Sequence, residues 1–438
     1  MTHPALSYRP QFDDRDACLN RFLGVRADTL RLIGGLSAED MQIQTMPDVS
    51  PAKWHLAHVT WFFETFLAKP YLKGYSEFDP GFNYLYNSYY EQVGQQWPRA
   101  KRGLLSRPST DTIMAYRAHV ERAISELIQT APDTAWTRIA PLIELGQQHE
   151  RQHQELLLTD IKHVLSQAPE PYAPFETRLA EAPEAPAAAN YIEIEGGLVE
   201  IGASHADFIF DNELPRHKRW QEDFEIAARP VSNAEFCEFV ESGGYEDARL
   251  WLSDGWEWKQ LNNIQHPLYW RHDDGMWKEY TLHGMSIFQP GFPVCHVSAY
   301  EAAAFAEWKG ERLPTETELE MLARRYPAEG VLLGDDNRYH PGSLTGAGEA
   351  EAVFGGVWEW SSSAYEPYPG YHPPDGAVGE YNGKFMSGQQ VLRGGSCATE
   401  RNHIRATYRN FFPAESRWQF SGIRLAKRTR PASSLRSA

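Results

Sequence analysis

The apolar positions in the first part of the chain recur at helical intervals. This period predicts helices over 14–33, 52–67, 110–130 and 136–165. Ser50 followed by Pro51 is a favourable N-cap and first-turn pair for the second helix, and Ser109 or Thr110 can cap the third. Four amphipathic helices of this size predict a bundle, a fold that often builds metal sites from side chains on facing helices.

A long connection, 70–108, separates the second and third predicted helices. A structureless segment of this length in a compact domain is usually either functional or disordered. The tyrosines concentrated between Tyr84 and Tyr90 argue against disorder, because disordered segments are poor in aromatic residues. The sequence therefore predicts an ordered loop that folds over another part of the domain.

The pattern of apolar positions changes from helical spacing to alternation after residue 190. Residues 191–203 alternate as a pair of strands broken at Gly196 and Gly197, which we expect to pair with each other. Two short helices follow, each preceded by a capping box, and the rest reads as short strands and Gly-rich turns. The boxes pair Ser298 with Glu301 and Thr315 with Glu318. The segment 179–190 is rich in Ala, Pro and Glu, so we expect an α+β protein with domains 1–178 and 191–438 joined by that linker.

Composition narrows the classes of partner. Lys and Arg number 42 and Asp and Glu 59, and the net charge of −17 argues against a nucleic-acid partner or an anionic membrane. The four cysteines are widely separated, without a CxxC pair, which argues against a disulfide scaffold or a zinc knuckle. The first residues lack an export signal and no long apolar stretch occurs. We expect a cytoplasmic protein that acts on small molecules.

The segment 149–155, with sequence HERQHQE, carries the most specific chemistry. His149 and His153 lie four residues apart, so a helix places both on one face, where they can share a metal ion. Gln152 flanks the same face. The spacing alone is equally typical of two histidines that face solvent or are satisfied in the core.

The same letters match the zinc-peptidase pattern HExxH, in which the glutamate, here Glu150, activates a zinc-bound water. Arg151 and Gln152 are more polar than a buried protease helix requires, and no GxxH string follows. A zinc metallopeptidase therefore remains an alternative.

The second half contains, in order, PVSNAEFCEFV, PVCHVSAYEAAAFAEWKGERLPTETELEMLAR, GGVWEWSSS, VLRGGSCAT and FSGIRLAK. These strings resemble the formylglycine-generating-enzyme fold, a C-type-lectin-like α+β domain. The sulfatase-activating members of that family bind copper through two cysteines after the RGGS turn. By count those positions are Thr399 and Ile404 here, so the resemblance does not extend to copper chemistry.

The first half resembles the DinB-like four-helix bundle, whose members hold a divalent metal with three histidines. The motifs WHLAH, NSYYE, HERQHQE and EYNGKFMSGQQVLRGGSCAT, over nearly the whole chain, are similar to the ergothioneine sulfoxide synthases, the EgtB family. The resemblance implies iron ligands at His58, His149 and His153. The residues by themselves do not choose His58 over His55, because both lie among apolar neighbours.

The resemblance implies a non-haem Fe(II) enzyme that uses O2. Three neutral imidazoles leave the +2 charge on the metal and about three of six octahedral positions open. The implied reaction joins cysteine or γ-glutamylcysteine to Nα-trimethylhistidine (hercynine) through a carbon–sulfur bond and yields the S-oxide. Carbon–sulfur bond formation and sulfur oxidation each remove two electrons, which together balance the reduction of O2, so no external reductant is required.

The resemblance also suggests residues that act on substrate. Tyr89 and Tyr90, in the loop, are candidates for a proton or hydrogen donor. Gln152 resembles the amide that hydrogen-bonds the substrate imidazole. Asn410, with Phe411 and Phe412 as an apolar wall, resembles the residues around the trimethylammonium end, where aromatic faces recognise a cation without N–H groups.

The carboxylate of the thiol substrate requires a fixed cation, for which the candidates are Arg99, Arg102, Arg409 and Arg424. The NSYYE loop is also similar to ovothiol sulfoxide synthases, which use free cysteine, and this favours cysteine as the donor. An ovothiol-type enzyme is an alternative, although those proteins usually carry an additional methyltransferase domain. A DinB-type thiol transferase and a binding module without turnover are further alternatives.

Overall fold

The computed structural model describes residues 14–175, 184–204, 208–334, 338–344 and 349–427. The first residues and positions 179–183 of the expected linker lie outside the described residues. The chain divides into two compact units. We call the first the helical unit; its described residues lie within 14–175, 203–214 and 370–384. The mixed unit contains the other described residues, so two segments that follow the expected linker in the chain belong to the helical unit.

The helical unit contains α1 (Arg15–Leu32), α2 (Ala52–Phe63), α3 (Lys69–Tyr71), α4 (Phe82–Tyr86), α5 (Thr110–Thr130) and α6 (Asp133–Ser166). Asp14 caps α1 by accepting hydrogen bonds from the backbone N–H groups of Asp16 and Ala17. Ser109 caps α5 in the same way, through the N–H of Thr112. These caps satisfy N–H groups that have no partner within the helix, so the predicted helices begin close to the predicted positions.

The second and fourth helices differ from the prediction. A π-helical turn, Glu64–Ala68, follows α2 directly and leads into α3. Helix α6 begins at Asp133 and continues through Pro141. It packs closely on α2 at Gly146, where an added Cβ would lie 2.6 Å from Cε1 of Phe63. The glycine thus permits the close approach of the two helices that carry the histidines.

The connection 70–108 is ordered, as its tyrosines predicted. It contains α4 and a 3-10 helix, Arg99–Leu104. The backbone N–H of Trp97 donates to the carbonyl of Tyr84, and the Asn87 side chain donates to the carbonyl of Tyr90. These bonds hold the segment with the two candidate tyrosines in one conformation.

The mixed unit is built from short strands. A four-stranded sheet has the order β12 (Asn410–Phe412), β11 (Gln390–Arg393), β10 (Trp358–Ala364) and β13 (Ser421–Gly422). A three-stranded sheet contains β5 (Trp270–Asp273), β6 (Met276–Thr281) and β7 (Gly284–Ile287). Three strand pairs accompany them: β1 (Tyr191–Ile194) with β4 (Phe224–Ala227), β2 (Gly197–Ile201) with β3 (His217–Gln221), and β8 (Gly330–Val331) with β9 (Phe354–Gly355).

The two strands predicted over 191–203 are present, but they do not pair with each other. Each runs antiparallel to a later strand instead. At Gly196, between them, an added Cβ would lie 2.1 Å from the carbonyl oxygen of Gln221. Local alternation predicts a strand but not its partner, because the partner is distant along the chain.

The helices of the mixed unit are α7 (Asn233–Glu241), α8 (Ser253–Leu261), α9 (Ala299–Lys309) and α10 (Glu316–Ala323). Both predicted capping boxes are confirmed, with reciprocal bonds between Ser298 and Glu301 and between Thr315 and Glu318. Across the described ranges of both units, no helix combines the length and the apolar character needed to cross a bilayer.

Candidate metal centre

Three histidines of the helical unit converge. His58 comes from α2, and His149 and His153 lie one turn apart on α6. One ligand nitrogen from each lies within 4.8 Å of the other two. His58 and His149 are fully buried, and His153 is partly exposed. The arrangement can hold one metal ion. The spacing of His149 and His153 along a helix did not by itself establish this.

Aromatic rings surround the imidazoles. His58 stacks between Trp54, at 4.6 Å between ring centroids, and Trp61, at 5.6 Å. The ring of Phe62 lies 4.8 Å from that of His149. These side chains exclude water from the nitrogens of His58 and His149, and a water-excluded site strengthens the interaction of an ion with its ligands.

The environment favours neutral imidazoles. Burial lowers the pKa of His58 and of His153 well below the usual range, and repulsion from His149 acts in the same direction. Burial also lowers the pKa of His149, to about 3. A neutral imidazole keeps a lone pair that can bind a metal, so the three side chains are in the state that coordination requires.

The hydrogen bonds leave the ligand nitrogens free. Nδ1 of His58 donates to the backbone carbonyl of Tyr86 at 2.6 Å, which leaves its Nε2 unprotonated. Among the described residues, Nε2 of His58 and both ring nitrogens of His149 have no hydrogen-bond partner. Buried polar atoms of this kind usually have a partner. A metal ion would supply it, so the residues present fit a bound metal.

Glu150 does not face this centre. Its carboxylate accepts hydrogen bonds from Arg26 at 2.9 Å, Arg117 at 2.6 Å and Thr29 at 2.7 Å. Burial raises the pKa of Glu150, but the two guanidinium groups outweigh it and lower that pKa to about 2. The glutamate that a zinc peptidase needs beside its metal is therefore committed to an ion network with α1 and α5, which counts against that alternative.

His55, which the sequence could not distinguish from His58 as a metal ligand, lies beside the ring of His153. Its Nδ1 is 2.8 Å from Nδ1 of His153, and its Nε2 is 3.0 Å from Oδ2 of Asp160. Asp160 is not among the site residues predicted from the sequence. It follows His153 by seven residues on α6, a spacing that returns to the same helix face and could have suggested it.

The candidate tyrosines lie in the aromatic cluster. Tyr90 is fully buried, with its ring 5.6 Å from Trp61, and the rings of Tyr89 and Tyr90 are 4.8 Å apart. Burial raises the pKa of both hydroxyls, so both stay protonated. Tyr381 lies in the EYNGKFM motif but is not among the site residues predicted from the sequence; its ring is 5.6 Å from that of His149 and 6.0 Å from that of Tyr89.

The candidate arginines of the helical unit differ from each other. Arg102 is buried, lies 3.3 Å above the ring of Trp54, and donates to the hydroxyls of Ser50 and Ser88. Arg99 is exposed and donates to the carbonyl of Asp48. Since Trp54 stacks on His58, only Arg102 is linked to the histidines by these contacts.

The remaining candidates were Gln152 and residues of the mixed unit. Gln152 is partly exposed on α6. Asn410, Phe411 and Phe412 form β12, where Phe411 stacks on Tyr365 at 4.0 Å. Their roles toward substrate stay predictions.

Two of the candidate arginines, in the mixed unit, already have carboxylate partners. Arg409 pairs with Glu316 at 2.9 Å, and Arg424 pairs with Glu359 at 2.7 Å, both in buried surroundings. A substrate carboxylate would have to displace these partners. Arg102, which has no carboxylate partner of this kind among the described residues, therefore fits the role better than these two arginines.

Comparison with protein families matches residues 21–164 to the DinB superfamily and residues 176–429 to the sulfatase-modifying factor enzyme 1-like domain. These matches confirm the predicted fold class.

Relatives cover both domains. A hercynine oxygenase of Mycolicibacterium thermoresistibile is 31% identical over 93% of each chain. That of Mycolicibacterium smegmatis is 32% identical over 94% of this chain and 99% of its own. Ergothioneine biosynthesis protein 1 of Schizosaccharomyces pombe is 30% identical over 50% of this chain and 28% of its own. Because the similarity runs through both domains, the chain belongs to the hercynine oxygenase family of oxygen-using oxidoreductases.

Proposed function

We propose that this protein is an Fe(II)- and O2-dependent sulfoxide synthase of ergothioneine biosynthesis. It joins the sulfur of cysteine to the imidazole of hercynine and gives hercynylcysteine S-oxide. The observation that carries the proposal is the cluster of neutral imidazoles from His58, His149 and His153, in a chain similar to hercynine oxygenases over nearly its whole length. Within the described residues, ring nitrogens of His58 and His149 have no hydrogen-bond partner.

The proposed reaction balances without an added reductant. The imidazole loses a C–H bond and the thiol loses its S–H bond, and a C–S bond forms between them. One oxygen atom of O2 becomes the sulfoxide oxygen, and the other leaves as water with the two hydrogens. Ferrous ion, when bound by the three histidines, supplies the open positions at which thiolate and O2 can react.

The described side chains fit the roles that this reaction needs. Trp54, Trp61 and Phe62 keep water away from the imidazoles of His58 and His149. The hydroxyls of Tyr89 and Tyr90, kept protonated by burial, are the proposed proton or hydrogen donors. We keep both as candidates, because their rings are in contact and each is bonded into the same loop.

The surroundings of Arg102 favour a thiol substrate that carries a carboxylate. Its guanidinium is buried and stacked on Trp54, its two bonds go to neutral serine hydroxyls, and its Nε has no partner in the described ranges. A buried guanidinium that lacks a carboxylate partner attracts one strongly. We propose that Arg102 binds the carboxylate of free cysteine and that Gln152 contacts hercynine. For Asn410, Phe411 and Phe412, contact with hercynine stays a prediction from the family resemblance.

The test is product formation by iron-loaded protein. The protein is loaded with Fe(II) anaerobically and then incubated in air with hercynine and either cysteine or γ-glutamylcysteine. Mass spectrometry and O2 consumption are followed. The expected result is hercynylcysteine S-oxide with cysteine and one O2 consumed per product. A His149→Ala variant, which loses one ligand, is the control and should form none.

Each alternative result has a distinct meaning. Product from γ-glutamylcysteine alone would reject cysteine as the donor but keep the reaction. Product from histidine in place of hercynine would favour the ovothiol type. Iron-loaded protein that forms no S-oxide with either thiol, while the His149→Ala control behaves identically, would reject the proposed function.

A further inference from the structure

A chain of hydrogen bonds runs from the candidate metal centre to a buried carboxylate. Nδ1 of His153 lies 2.8 Å from Nδ1 of His55, and Nε2 of His55 lies 3.0 Å from Oδ2 of Asp160. The same oxygen accepts the backbone N–H of Ser50 at 2.8 Å. His55 and Asp160 are both buried, so water does not substitute for these bonds.

The direction of each bond follows from the chemistry of the groups. An ionised carboxylate can only accept, so Nε2 of His55 carries a hydrogen and donates it to Asp160. A neutral His55 then has an unprotonated Nδ1, which can only accept. The hydrogen between the two rings therefore belongs to Nδ1 of His153, and Nε2 of His153 keeps its lone pair.

We propose that Asp160 and His55 are positioning residues that hold His153 in the tautomer whose Nε2 binds the metal. With the opposite arrangement, Nε2 of His153 would carry a hydrogen and could not coordinate. Partners of this kind orient a ligand and typically change metal affinity by about 10- to 100-fold when they are removed. The inference rests on the proposed function only in taking the three histidines as metal ligands.

The three ligands are thus held by different means. His58 is oriented by the backbone carbonyl of Tyr86, which no substitution of a side chain removes directly. His153 is oriented through two side chains, from α2 and from α6. Asp160 also bonds the start of α2 through Ser50, so its loss affects folding as well as orientation, and the test must separate the two.

The experiment measures metal affinity and apo-protein stability separately. Apo-protein is titrated with Co²⁺, followed by its visible absorption, and with Fe²⁺ against a competing chelator without O2. Thermal unfolding of each apo-protein is followed by circular dichroism. Asp160→Ala and His55→Leu should each weaken binding by about 10- to 100-fold. Asp160→Asn, whose amide oxygen can accept the same bonds, should remain closer to the parent protein.

The double variant distinguishes orientation from a general effect. Because Asp160 acts through His55, adding Asp160→Ala to His55→Leu should change affinity by less than about twofold. Asp133→Ala is the matched control on the same helix, since Asp133 is exposed and pairs with Arg15 at the surface. It should bind metal like the parent.

Parent-like metal affinity in both Asp160→Ala and His55→Leu would overturn the inference. It would also be overturned if Asp160→Ala lowered metal affinity by the same factor in the parent protein and in the His55→Leu variant. Either result leaves the proposed function intact, because the parent protein still binds metal. A parent protein that binds neither Co²⁺ nor Fe²⁺ would instead overturn the proposed function, and this inference with it.

Discussion

Replacing Glu150 with glutamine tests whether this residue stabilises the helical unit or acts at the metal. The carboxylate is fully buried and accepts bonds from Arg26, Arg117 and Thr29. The two guanidinium groups are 1% and 2% exposed, so neither can recover its interactions from water. The substitution keeps the shape of the side chain and removes its charge.

The expected loss in the free energy of unfolding follows from the burial of the two guanidinium groups. Removing one partner of a buried ion pair costs about 3–5 kcal/mol, because it leaves a charge buried without compensation. Glutamine still offers one acceptor oxygen, which places the loss of stability at about 3 kcal/mol. For a unit of this size that corresponds to a fall in melting temperature of roughly 6–12 °C.

The pH dependence gives an independent check. The pKa of Glu150 is lowered from 4.5 to about 2, so the folded state favours the ionised form. Its contribution is therefore fully present above the ordinary pKa and disappears as pH falls toward the folded-state pKa. The difference in stability between parent and Glu150→Gln should shrink as pH falls from about 5 to about 2.

Denaturant unfolding followed by circular dichroism measures the loss, and S-oxide formation per folded molecule measures the chemistry. Glu126→Gln is the control, because Glu126 is exposed on α5; its effect should stay within about 0.5 kcal/mol. The expected pattern is a large loss of stability with turnover retained. Unchanged stability together with abolished turnover would refute this reasoning, since that is the behaviour of a general base at the metal.

Three further results are expected. Tyr89→Phe or Tyr90→Phe should keep metal affinity but divert turnover from S-oxide to thiol oxidation; mass spectrometry showing unchanged S-oxide in both single variants would contradict a donor role. Arg102→Met should raise KM for cysteine by roughly 10- to 100-fold with a smaller change in kcat, because a charged hydrogen bond is lost. The exposed Arg31→Met control should not, and steady-state kinetics decides. Gly146→Ala should destabilise the protein by about 1–3 kcal/mol in denaturant unfolding, because the new Cβ meets a phenyl ring of α2 at 2.6 Å; no loss would show that α2 can shift freely.

Local patterns were sufficient for the four main helices of the helical unit, apart from their exact ends, and for one half of the site. The period of apolar residues predicted the helices, and the spacing of His149 and His153 placed them side by side, with ring centroids 4.6 Å apart. These features depend on geometry within one helix, which the sequence carries by itself. The capping boxes of α9 and α10 were predictable for the same reason.

Only the tertiary structure decided which residues complete the site. His55 and His58 lie three residues apart in one apolar helix, and the packing of α2 on α6 determines that His58 meets the other two imidazoles while His55 meets Asp160. Glu150 is adjacent to His149 in the chain, yet it pairs with Arg26 on α1. A helical period determines the direction in which a side chain points from the axis of its helix. Which residue it meets in that direction depends on how distant segments of the chain pack together.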